Sequence, residues 1–214
     1  MEDVKDSFLS VEGESRALFR DKASKFIAVA LPVVSEEEVK ASLEELRKTY
    51  HDANHHCYAY RLGIDGQVFR VNDDGEPSGS AGKPIYGQIL STGLSDILVV
   101  VVRYFGGTKL GIPGLIHAYK TAAREALDQA VIVEKTIRTE LRVTFDYPVM
   151  NEIMRILKEE GVKIVHQYAM EKCEIDFLIR KSCEEKIITR INRLKNIKLT
   201  KKGENQPQIT ENRY

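Results

Sequence analysis

A chain of 214 residues with 43% hydrophobic and 30% charged content has the length for one large or two small packed domains and is too apolar for general disorder. Its purely apolar runs, such as Ile97–Val102, are far below the roughly 20 residues of a bilayer helix, and the acidic N-terminus lacks a basic-then-apolar leader. Three cysteines, Cys57, Cys173 and Cys183, form no Cys-x-x-Cys pair, so the composition points to a soluble cytoplasmic protein with no membrane contact, no disulfides and no structural zinc.

In chain order, alternating apolar and polar residues predict strands near Glu14–Phe19 and Lys25–Leu31. Ser35 followed by Glu38 is a capping box for a helix that ends near Tyr50. Strands near Cys57–Ile64 and Gln67–Val71 follow, joined by an Asp65-Gly66 hairpin turn. His51, His55 and His56 resemble metal ligands, but no carboxylate motif or cysteine pair accompanies them. They read as the polar end of a helix-to-strand connection, with Cys57 as a small buried hydrophobe.

Residues 73–83, Asp-Asp-Gly-Glu-Pro-Ser-Gly-Ser-Ala-Gly-Lys, form a polar glycine-rich loop that ends where a helical pattern begins. Amides freed by glycine beside Lys83 are a common way to build an anion site. A nucleotide-binding P-loop is excluded, because Pro77 stands where its first glycine belongs and Pro84 where its hydroxyl residue belongs. Ser80 and Lys83 match Ser-x-x-Lys, yet the partner motif Lys-Thr-Gly is missing. Asp73, Asp74 and Glu76 could hold a hard cation, although the ligand set is incomplete; the competing reading is a turn with solvated carboxylates.

Ile97–Arg103 is almost continuous Ile, Leu and Val, the pattern of a strand covered on both faces. It leads into a second glycine-rich loop, residues 103–114, in which Arg103, Tyr104, Phe105, Gly106, Gly107 and Lys109 bring charge, stacking surface and free amides together. The competing explanation is structural, with glycines for a turn, aromatics for core and charges for solvent. Pro113 begins a helix whose Ala118, Ala122, Ala123 and Ala126 let it pack closely on a sheet.

A short link around Glu134–Arg138 leads to a regular C-terminal pattern. Glu140–Tyr147 reads as a strand, Pro148 opens a helix that stops at Gly161, and Val162–Met170 with Cys173–Arg180 reads as a hairpin. Ser182 caps a second helix, and Ile197–Thr200 is a last strand. The order is βαββαβ, and the residues after Gly203 are expected to form a loose polar tail. Charge is polarised along the chain: acids exceed bases by five up to Glu134, and bases exceed acids by five after it. Between Lys186 and Lys202 lie seven basic residues and no acid, a face for RNA or a solvated helix face.

Lys22–Ala28, His55–Tyr60, Asp73–Ile85 and Val100–Ala123 together resemble the bacterial branch of the IMPACT family, also called the YigZ family, and the resemblance covers essentially the whole chain. It implies an α+β protein whose N-terminal domain, residues 1–135, is like the second domain of ribosomal protein S5 and domain IV of elongation factor G. Residues 136–203 would form a ferredoxin-like domain like domain V of that factor, with residues 204–214 as the tail. Eukaryotic members dampen starvation signalling by competing for a ribosome-associated activator of an initiation-factor kinase. Bacteria lack that kinase system, so what carries over is a domain surface and a link to translation, with no catalytic residues.

The resulting expectation is a non-enzymatic, translation-linked binding protein that contacts ribosomal RNA or a ribosome-bound partner, with no cofactor and no metal. Lys25, Lys83, Arg103 and Lys109 would neutralise phosphates, Tyr104 would stack, and Gly106 and Gly107 would allow close approach. His55, Asp73, Asp74, Glu76 and Ser78 complete the predicted surface, and Lys186, Arg190, Arg193, Lys195 and Lys198 supply a second, basic one. The rival is an enzyme acting on a small phosphorylated or carboxylated ligand between the two loops, with Asp74 or Glu76 as base or metal ligand and Lys83 as electrophile. A third reading is a protein-protein adaptor with an apolar patch near Tyr104 and Phe105.

Overall fold

The computed structural model describes residues 5–204 and 208–211. It is a mixed α+β structure with five α-helices among the described residues. The described residues divide into two compact units, one of residues 8–134 and the other of residues 5–7, 135–204 and 208–211.

In chain order the elements of the first unit, with the ends of β1 and β7 running into the second, are β1 (Ser7–Val11), β2 (Ser15–Asp21), β3 (Ser24–Pro32), α1 (Glu36–Thr49), β4 (His55–Leu62), β5 (Val68–Asn72), α2 (Gly82–Thr92), β6 (Ile97–Tyr104), α3 (Gly111–Asp128) and β7 (Ile132–Thr136). Five of these strands form one sheet in the order β2-β3-β6-β4-β5, with every neighbouring pair antiparallel. The central strand β6 is apolar throughout because both its faces are covered. Ile97, Val99 and Val101 pack with Ile85 and Ile89 of α2 and with Leu115, Ala118 and Ala122 of α3. Leu98, Val100 and Val102 face the other way, against Val39, Leu43 and Leu46 of α1. All six β6 side chains from Ile97 to Val102 are fully buried, each contributing roughly 1.5–3 kcal/mol relative to exposure.

The predicted cap of α1 is present: the Glu38 amide donates to Ser35 Oγ at 3.2 Å, and Glu38 Oε2 accepts the Val34 amide at 2.8 Å. The Asp65-Gly66 turn differs from expectation. Leu62 pairs with Val68, and the intervening loop turns around Ile64 and Asp65, with the Gly66 amide donating to the Gly63 carbonyl at 3.1 Å. Glycines at both ends, at φ +78° and +58°, let this wider loop form. A true two-residue turn lies instead at Lys22 and Ala23, both with positive φ, between paired Asp21 and Ser24. β1 and β7, which pair with each other, were not anticipated; β7 occupies the stretch read as a link.

The second unit contains β8 (Arg138–Phe145), α4 (Met150–Glu159), β9 (Lys163–Ala169), β10 (Cys173–Arg180), α5 (Glu184–Ile191), β11 (Ile197–Glu204) and β12 (Gln208–Glu211). Residues 138–204 thus have the order βαββαβ, with an antiparallel sheet β11-β8-β10-β9. Period-2 alternation places Leu141, Val143 and Phe145 on the helix side with Ile153, Leu157, Ile175, Phe177, Ile187 and Ile191. The expected loose tail is corrected in part: β11 runs to Glu204, and β12 is a strand, consistent with the β-branched pair Ile209-Thr210. The rest of that tail lies outside the described residues.

Ser182 does not cap α5 from its own side chain. Residues 181–183 form a 3-10 turn, and no side chain of the N-cap residue Cys183 bonds the helix. Ser182 Oγ instead donates to the buried carboxylate of Asp6. That carboxylate also accepts Arg180 Nη2 at 2.8 Å, Arg180 Nε at 3.1 Å and the Ser182 amide at 3.2 Å. Burial alone would raise the Asp6 pKa, but the bonds from Arg180 and Ser182 outweigh it and hold the carboxyl below its ordinary value. A depressed carboxyl contributes stability that is present above its unfolded-state pKa and lost as pH falls through the folded value. Asp6→Ala should therefore cost about 1–3 kcal/mol in urea unfolding at pH 7. The gap between variant and parent should begin to narrow below about pH 4 and be lost as pH falls through the lower folded value; a gap independent of pH would contradict this account.

Candidate functional site

The first glycine-rich loop is already occupied by an anion of the chain itself. Asp73, immediately after β5, accepts the Gly82 amide at 2.8 Å, the Ala81 amide at 3.0 Å and the Gly79 amide at 2.8 Å. Its carboxylate sits where a bound phosphate was expected, at the start of α2. Burial would raise its pKa, but these amides, aided by Lys83, hold it below the ordinary range. A Cβ on Gly82 would lie 2.7 Å from the Asn72 backbone nitrogen, so glycine is what lets α2 begin this close to β5.

The neighbouring polar residues are also engaged in the loop. Asp74 Oδ2 accepts the His56 amide at 2.6 Å, and Arg47 lies 3.4 Å from its other oxygen. Ser80 Oγ donates to the Pro77 carbonyl at 2.6 Å, which removes it as a nucleophile for Lys83. Ser78 and Lys83 are exposed. Among the described residues, no group of three or more His, Cys, Asp or Glu is arranged to hold a metal ion.

Glu76 is different, because its carboxylate turns inward and is only 4% exposed. It accepts Arg103 Nη1 at 2.5 Å and the Tyr119 hydroxyl at 2.8 Å. His55 Nε2 is 3.8 Å away. His55 Nδ1 lies 2.8 Å from the Asp74 carbonyl; a carbonyl only accepts, so Nδ1 carries the proton. Behind this group, Cys57 Sγ donates to the Asp73 carbonyl at 3.0 Å and contacts the Tyr119 hydroxyl at 3.3 Å. Burial pushes the Cys57 thiol up to about 12 and raises Tyr119 still further, so both remain protonated near neutrality.

Strand parity separates residues that are adjacent in sequence. Arg103 pairs with Phe26 on one side and His55 on the other, so these three share the face toward α2 and α3. Tyr104 pairs with Lys25 on the opposite face, where Lys25 Nζ lies 4.9 Å from the Tyr104 ring centre. The Tyr104 hydroxyl donates to Asp52 at 2.8 Å, and its pKa is pushed up to about 12 by burial and then by that bond. Gly106 packs backbone to backbone: a Cβ there would lie 2.2 Å from the carbonyl carbon of Ala23.

His55, Glu76, Arg103 and Lys109 do come together, around a cavity of about 450 Å³, within the range of small-ligand sites. Asn54, Pro77, Phe105, Leu110, Gly111, Ile112 and Leu115 complete its wall. Arg103, only 6% exposed, lies with its guanidinium 5.5 Å from the ring centres of both Phe26 and Phe105. Its Nε is buried without a hydrogen-bond partner. The cavity reaches the first turn of α3, where the N-cap residue is Leu110 and no side chain caps the amides. Sequence reasoning missed Asn54, whose Oδ1 accepts the Phe105 amide at 2.7 Å, and Tyr119, which was indistinguishable from a core aromatic.

Of the five residues of the predicted basic surface of the second unit, Lys186 and Arg190 are paired, as are Lys201 and Lys202 farther along the same run. Lys186 lies 2.9 Å from Glu160, Arg190 engages both Glu159 and Glu160, Lys201 lies 2.8 Å from Glu184, and Lys202 lies 2.6 Å from Asp176. Arg193, Lys195 and Lys198 remain exposed.

Comparison with known proteins places these features in a family. The Impact N-terminal domain family matches residues 22–127. The chain is 38% identical to IMPACT family member YigZ of Escherichia coli, over 68% of this chain and 72% of that protein. To IMPACT family member YvyE of Bacillus subtilis it is 34% identical, over 72% and 70% respectively. A solved structure described as a hypothetical protein superposes with a TM-score of 0.67 at 30% identity, covering 91% of this chain and 96% of that one.

Asp73→Ala should destabilise the first unit by about 1–2 kcal/mol, as for loss of a helix cap. Glu76→Ala, which leaves Arg103 buried without its counterion, should cost about 3–5 kcal/mol. Ser78→Ala should stay within about 0.5 kcal/mol. Urea unfolding followed by circular dichroism measures all three, and a Glu76 variant as stable as the Ser78 variant would refute the assigned roles.

Proposed function

We propose, from the premise that this chain belongs to the IMPACT family, that it is a non-enzymatic, translation-linked binding protein that contacts ribosomal RNA or a ribosome-bound partner. The observation that carries this reading is the rim of the Arg103 cavity, where exposed Lys109, the half-exposed ring of Phe105 and the uncapped first turn of α3 lie together. Cation, aromatic face and free amides are what a single RNA strand engages. The βαββαβ order and the β11-β8-β10-β9 sheet support reading the second unit as ferredoxin-like. The first unit is read as like the second domain of ribosomal protein S5, which gives the pair its likeness to domains IV and V of elongation factor G.

The contacts we propose are fewer than the sequence suggested. Lys109 and Arg103 remain in the first-unit site, Lys25 and Tyr104 belong to the opposite sheet face, and Asp73 holds the amides beside Lys83. In the second unit, Arg193, Lys195 and Lys198 are the cations left for a second contact. One feature favours the enzyme reading: buried Glu76, on the cavity wall, lies beside His55 and the Tyr119 hydroxyl, a grouping suited to acid-base chemistry.

Co-sedimentation with ribosomal subunits across a salt series tests the proposal. Binding should weaken steeply with salt, and Lys109→Ala should flatten the slope of log K against log salt by about 0.7–0.9, the loss of one phosphate contact. Absent or salt-independent binding would overturn it and shift weight to the enzyme reading.

A further inference from the structure

We infer that the Arg103 cavity is a single-nucleotide pocket that takes one phosphodiester of an unpaired RNA strand together with its adjoining base. This deepens the RNA reading above and rests on it. Three observations carry it.

The first is charge. Arg103 and Glu76 compensate each other at 2.5 Å, so Lys109 is the lysine or arginine on the cavity wall that remains for a ligand. One cation matches the single charge of a phosphodiester better than the near-double charge of a phosphomonoester. The second is an unsatisfied donor. Arg103 is more than nine-tenths buried on the cavity wall, and its Nε has no partner. A buried donor without an acceptor is costly, and a ligand oxygen would supply the acceptor once a small shift of the Arg103 or Phe105 side chain uncovers that atom. The uncapped amides of α3 lie beside the same space, where an anion is favoured.

The third is the apolar half of the wall. Phe105 is 45% exposed and Ile112 54% exposed, and with Leu110 and Leu115 they line the cavity next to the cationic group. A bare anion has no use for such a surface. A base has, and a base can reach it only when it is unstacked and unpaired, so the pocket should select single strands over duplexes. Asp73 makes the contrast inside the same unit: the first turn of α2 is closed by the chain's own carboxylate, whereas that of α3 opens beside a cavity.

Fluorescence anisotropy of the full chain with a labelled oligouridylate, and with its duplex with oligoadenylate, tests the pocket. The single strand should bind about tenfold tighter than the duplex. Phe105→Ala, a change at an exposed side chain, should abolish that preference, while Lys109→Ala should weaken both ligands and leave the preference intact. Equal binding of strand and duplex, an unchanged preference in Phe105→Ala, or equal displacement of the strand by an acidic peptide would each overturn the inference. Parallel co-sedimentation separates the two claims. Salt-sensitive ribosome binding with no strand preference removes the pocket but keeps the translation reading, and loss of all RNA and ribosome binding removes both.

Discussion

A strand with no solvent face has to end somewhere, and in the first unit the apolar run of β6 stops at an arginine one residue before the strand does. Six consecutive side chains from Ile97 to Val102 are fully buried between α1 on one side and α2 and α3 on the other. Continuing the alternation puts Arg103 on the α2 and α3 side, still inside. A guanidinium cannot be left there uncompensated, and Glu76, delivered by the first loop, meets it. The conformation of that loop is therefore tied to the end of the central strand. Asp73 anchors it to α2, Asp74 to the start of β4, and Glu76 to Arg103, so three acidic residues within four positions have three separate destinations.

The two glycine-rich loops look equivalent in sequence and are physically unlike. In the first, glycines bring amides to a point that an internal carboxylate fills, and the product is a rigid join between β5 and α2. In the second, Gly106 lies against the backbone of the Lys22-Ala23 turn, and the chain then enters α3 without a side-chain cap. Rigidity from the first loop and openness from the second meet at one cavity. A wall whose charged floor is fixed by Glu76 and Tyr119 is preorganised for a ligand, which reduces the ordering cost of binding.

Much of this was legible in the sequence, and what was not has identifiable causes. The Ser35 and Glu38 cap, the doubly covered β6, the alanine face of α3 and the βαββαβ order all follow from local pattern. Ser182 failed as a cap because its hydroxyl was claimed by Asp6, 176 residues away in the chain, and no local rule sees such a competitor. The Asp65-Gly66 turn failed because Gly63 offered a second left-handed position. β1 and β7 are short and lack sustained alternation, so nothing marked them. At the site, Asp73 read as a cation ligand or a solvated turn carboxylate, and no local rule shows that it turns back onto the amides at the start of α2.

Parity and neighbourhood, more than composition, decide which charges can reach a ligand. Lys25 and Tyr104 belong to the same short motifs as Phe26 and Arg103, and a single step along each strand moves them to the opposite face of the sheet. In the second unit the run from Lys186 to Lys202 has no acid in sequence, yet helix α5 sets Lys186 and Arg190 against Glu159 and Glu160 at the end of α4. Strand β11 likewise carries Lys201 to Glu184 and Lys202 to Asp176. Arg142 joins Lys202 on Asp176, with bonds of 2.6 and 2.8 Å, and holds that buried carboxylate far below its usual range. A stretch that looks like a polyanion-binding face is thus mostly spent on holding its own unit together. Arg193, Lys195 and Lys198 are the cations of that stretch that stay exposed, so a run of like charge in sequence overstates the charge that its folded face presents.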